Sequence, residues 1–120
     1  MKNASKIAFV LAAILLSAAA RAHAFLDHAS PRVGSTVASA PKELLLWFTE
    51  KLEPAFSTVE VRNAQGVVVQ SGKAQAAPND ATELRVPLKA LPPGTYLVSW
   101  RVLSVDTHRT QGSFTFKVGP

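Results

Sequence analysis

From residue 42 onward the chain alternates apolar and polar positions in short runs, broken by turn residues about every ten positions. Residues 42–49 hold an apolar run, Leu44-Leu45-Leu46-Trp47-Phe48, bounded by Pro41 and by Glu50-Lys51. Residues 58–62 place Val59 and Val61 on one face and Thr58, Glu60 and Arg62 on the other. Asn63-Ala64-Gln65-Gly66 reads as a turn, and residues 67–70 return from it. The small, polar stretch 71–80 predicts a loop. Beyond it, Leu84, Val86 and Leu88 share one face, as do Tyr96, Val98, Trp100 and Val102, and then Phe114, Phe116 and Val118. No helical stripe competes with this period of two. About seven short strands predict an all-β, antiparallel β-sandwich, with a barrel of similar size as the alternative. Trp47 and Trp100 are expected in its core, one from each sheet. Tyr96, just after Pro92-Pro93-Gly94, is either a tyrosine corner or an ordinary buried tyrosine.

The first residues follow a different pattern. Lys2 and Lys6 precede an unbroken apolar segment, residues 7–16, and a small-residue exit ends at Ala22. That arrangement predicts a cleaved secretory signal over residues 1–22 and a mature domain over 23–120. The apolar run falls short of the roughly 18 residues that a membrane span needs. Ala22-His23-Ala24 also permits a cut after Ala24, which would remove His23.

Charge and composition narrow the function. Cleavage removes Lys2, Lys6 and Arg21, leaving basic residues nearly balanced against the 8 acidic ones. No basic stripe and no glycine-rich phosphate loop remains, so nucleic acid is not an expected partner. There is no cysteine, and the single methionine is Met1. A metal would therefore meet imidazole, carboxylate and amine donors, a set that suits copper(II), nickel(II) or zinc(II) better than copper(I).

Two stretches could supply those donors. A mature chain beginning at His23 would offer its α-amine and imidazole Nδ1 as one chelate. Asp106 and His108 lie two apart, and on an extended strand they would share a face with Cα atoms about 6.5–7 Å apart. Taken alone, D-x-H is also an ordinary polar turn. His28 reads as a surface imidazole. Glu50 is either solvated or holds a ligating imidazole through its other ring nitrogen. Ser104, Asp106 and His108 do not make a hydrolytic triad, because Asp106 and His108 project side by side rather than in relay. No enzyme is expected on these residues.

The ordered set His23-Ala24-Phe25-Leu26, Ser30-Pro31, Gly34-Ser35, Phe48-Thr49-Glu50, Gly94-Thr95-Tyr96, Trp100-Arg101-Val102, Ser104-Val105-Asp106-Thr107-His108 and Gly112-Ser113-Phe114-Thr115-Phe116 resembles the CopC-type copper-resistance proteins. The resemblance implies a periplasmic, immunoglobulin-like Greek-key β-sandwich that binds copper(II). It implies His23, Asp106 and His108 as ligands, with Glu50 in support. A CopD-type inner-membrane copper transport protein is the implied partner, and delivery or sequestration the implied task. A monomer is expected. The copper(I) site of methionine-rich members should be missing, since the mature region has no methionine. The alternatives are a copper enzyme with a histidine brace, as in polysaccharide monooxygenases, and a sandwich module that binds only another protein.

Overall fold

The computed structural model describes residues 24–120. Eight strands form among them: β1 Leu26–Ser30, β2 Thr36–Val37, β3 Glu43–Phe48, β4 Thr58–Arg62, β5 Gln75–Ala77, β6 Asp80–Pro87, β7 Gly94–Leu103 and β8 Arg109–Val118. One sheet has the order β1-β3-β6-β5, the other β2-β8-β7-β4. All pairings are antiparallel except that of β2 with β8. This is the immunoglobulin-like Greek-key sandwich, its first strand divided between the two sheets. The division falls after the cis Ser30–Pro31 peptide.

The alternation places the core as expected. Leu44, Leu46, Leu84 and Val86 from the first sheet meet Val61, Tyr96, Val98, Val102 and Phe116 from the second, all of them buried. Tyr96 makes the corner: its hydroxyl donates to the Pro92 carbonyl and its ring stacks on Phe116. Burial raises the Tyr96 pKa above its ordinary value, because phenolate is poorly solvated there.

Two expectations need correction. Trp47 is not a core residue. Phe48 takes the inward position and meets Trp100 edge-on at 5.2 Å, while Trp47 faces outward and stacks on the His28 imidazole at 4.3 Å. A run of five apolar residues does not state its own phase, and here the even positions face inward. The stretch 71–80 is not all loop, for β5 lies in it. Strand β2, with two residues and no alternation to detect, carried no sequence signal.

Strand edges are closed locally. The Gln70 side chain pairs with β4 like a short strand, accepting from Val61 N–H and donating to the Val59 carbonyl, both at 2.8 Å. Among the described residues the core runs from Ala24 to Val118.

Candidate metal centre

The tip of the β7–β8 hairpin is built by backbone geometry. The last strand pair is Leu103 with Arg109, after which Ser104 N–H donates to His108 O (3.0 Å) and Thr107 N–H to Ser104 O (2.9 Å). This is a tight turn followed by one residue in the left-handed region, a common way to close a hairpin with a three-residue loop. That residue is Thr107, with φ 70°. Asp106 and His108 therefore meet across a turn and not along an extended strand. The His108 Nδ1 lies 3.3 Å from Asp106 Oδ2, and both side chains are about half exposed.

Ser104 organises this tip. It is fully buried, its hydroxyl donates to Asp106 Oδ1, and the same oxygen accepts His108 N–H at 3.3 Å. The Ser104 bond is the main reason that Asp106 is held below the ordinary carboxylate pKa, with His108 adding to it. Asp106 thus stays ionised and retains lone pairs for a cation, since a carboxylate has about four acceptor sites. Nothing in the sequence motif alone assigns Ser104 this organising role. Its position two before Asp106 on an inward-facing phase was the available signal.

Two further segments reach the same end of the sandwich. Ala24 is fully buried, and the Thr110 hydroxyl donates to its carbonyl. Phe25 pairs with Thr49 through two bonds, Phe25 N–H to Thr49 Oγ1 and Thr49 N–H to Phe25 O, each 2.9 Å. Lys51 O accepts Val105 N–H at 3.0 Å, and Leu52 bridges to Ser104. Glu50 stands half-buried between these two contacts, so the loop carrying it joins the start of the domain to the hairpin tip.

The described residues bring Asp106 and His108 together, with Glu50 at the same end. Among them no group of three or more His, Asp or Glu side chains could hold a metal ion. A complete centre needs a further donor. His23 and the expected signal lie outside the described residues. His28 is occupied elsewhere, on the outer face of the first sheet, with Nδ1 2.7 Å from Asp27 and its ring on Trp47.

The CopC domain family model matches residues 26–119, nearly all of the described chain. The chain belongs to the CopC family. Copper resistance protein C of Xanthomonas campestris pv. juglandis is 44% identical over 115 residues, covering 91% of this chain and 90% of that protein. The crystal structure of CopC from Methylosinus trichosporium OB3b superposes with a TM-score of 0.76 at 36% identity, over 82% of this chain and 95% of that one. Copper transport protein CutJ of Bacillus subtilis is 29% identical over 119 residues, which are 98% of this chain but 22% of CutJ. This CopC-family chain therefore corresponds to a whole small protein in Xanthomonas and to one part of a larger one in Bacillus.

Proposed function

We propose that this chain is a copper(II)-binding protein of the periplasm, exported by a signal over residues 1–22, with copper as cargo. In the site His23 supplies its amine and imidazole, Asp106 a carboxylate oxygen and His108 a ring nitrogen, while Glu50 supports a ligating imidazole. One observation carries this reading: Asp106 and His108 converge at 3.3 Å on a hairpin tip, and Ala24, the neighbour of His23, is tied to Thr110 on β8 two residues beyond His108. Nitrogen and oxygen donors without sulfur favour copper(II) and give little help to its reduction. The protein sequesters or carries the ion and is not an enzyme. CutJ, a copper transport protein of which the matching region is about a fifth, supports delivery to a CopD-type inner-membrane copper transport protein. Closed edges at β4 and the very short β2 and β5 support a monomer.

Competitive copper(II) titration tests the ligand set. His108→Ala is expected to weaken binding by more than about a hundredfold, beyond the usual cost of losing an outer partner. His28→Ala is expected to bind as the parent does. Equal losses in the two variants would reject the assignment.

A further inference from the structure

We propose that Thr110 is a positioning residue for the metal, acting as a latch that fixes the point from which His23 reaches the hairpin tip. This rests on the reading of His23 as a ligand and adds a residue outside the metal-ligand set. Thr110 follows His108 by two positions on β8, about 7 Å along the strand, and its side chain turns toward the sandwich interior on the same face as Gly112 and Phe114. Its hydroxyl donates to the Ala24 carbonyl, 86 positions away in sequence. The contact joins the two sheets, because β8 belongs to the second while the segment from Ala24 runs directly into β1 of the first.

The rest of the segment is held at once by other means. The Ala24 methyl is buried with no exposure, and Phe25 is clamped on Thr49 by two backbone-directed bonds. One peptide link, about 3.8 Å between Cα atoms, separates His23 from this anchored residue. A terminal residue would ordinarily fray, and ordering it would cost conformational entropy when the metal binds. An anchor set beforehand beside His108 removes much of that cost, which is the general advantage of preorganisation. A stretch such as Arg109-Thr110-Gln111 announces none of this, since Thr is a common strand residue.

The test uses protein beginning at His23, compared with Thr110→Val, Thr110→Ser, a His23→Ala form with one extra residue before position 23, which loses both the imidazole and the amine, and that same form carrying Thr110→Val. Valine keeps the shape and strand preference of threonine but cannot donate. Thr110→Val is expected to weaken copper(II) binding about tenfold, roughly the worth of one hydrogen bond in the 1–1.5 kcal/mol range. Thr110→Ser is expected to restore it. In the extended His23→Ala background the valine change is expected to cost nothing further, because the latch acts only through the donors of residue 23. Parent-like binding by Thr110→Val, with the extended His23→Ala form impaired, would overturn the latch and leave the ligand set standing. An equal loss in both backgrounds would make Thr110 merely structural and also overturn it. Parent-like binding by the extended His23→Ala form would remove the ligand reading and the latch together. Thermal melts of the metal-free variants verify that each is folded.

Discussion

At the scale of single residues, the hairpin tip carries a cost that its chemistry does not require. Thr107 sits at φ 70°, where a β-branched side chain is crowded and glycine is not. Such a residue costs on the order of 1–3 kcal/mol, part of which glycine gives back through the entropy of the unfolded chain. Thr107→Gly is therefore expected to stabilise the metal-free protein by about 0.5–1 kcal/mol, read as a higher melting temperature. A lower melting temperature would mean that the Thr107 hydroxyl, which donates to the Asp106 carbonyl, outweighs the backbone term. The pairing of Asp106 with His108 was legible in their spacing, but the reason was not. An extended strand and a tight hairpin both bring such a pair together, and only the long β7 and β8 registers show which applies. Ser104 was legible only as an inward-facing position, and the bond from Thr110 to Ala24 was not legible at all, because a hydroxyl's partner is decided by tertiary contacts.

Strands were legible wherever one face is wet and the other dry. In β4, β7 and β8 the alternation states the inward face directly and the structure agrees, and in β6 it does so apart from Glu83, which is buried on the opposite phase. In β3 both faces are apolar, so the phase depends on cover that other strands provide. The register shift between Leu26 and His28 turns His28 onto Trp47, which then needs no place in the core. Its counterpart Trp100 lies across Gly112 on β8, where an added Cβ would come within 2.5 Å of the indole. Phe48 and the surrounding core leave that ring no room to swing away. Gly112→Ala is expected to destabilise the protein by about 1–3 kcal/mol through overpacking, measured by denaturant titration. A neutral result would show that β8 shifts freely there. At the corner, Tyr96→Phe loses the bond to Pro92 and is expected to cost about 1 kcal/mol. The sign of its pH effect follows from the raised pKa. Tyr96 contributes fully below its ordinary value of 10.0, and this is lost as pH rises past that value, where the unfolded chain ionises first. Tyr96→Phe should accordingly fall off less steeply than the parent in alkaline melts.

For the whole molecule, folding and metal capture are separable, because the core and the donors occupy different parts of it. Among the described residues the core runs from Ala24 to Val118, while Asp106 and His108 stand apart from it on a half-exposed hairpin tip. The absence of cysteine leaves the sandwich to hold itself by burial alone, so its stability should not depend on the redox state of its surroundings. Copper, binding the native form only, would then add to that stability by mass action. The separation gives a sharp test at the chain's start. Protein beginning at His23 is expected to bind copper(II) tightly, and protein with one extra residue before His23 much more weakly. The extra residue turns an amine into an amide, a far poorer donor near neutral pH, and destroys the chelate ring between that amine and Nδ1. Two donors are disturbed although no side chain changes. The metal-free forms should melt at the same temperature, since Ala24, Phe25 and everything beyond them are untouched, whereas their melting temperatures in excess copper(II) should diverge in favour of the form starting at His23. Equal affinities with equal metal-free melts would mean that the amine is no ligand and that side chains alone capture the ion.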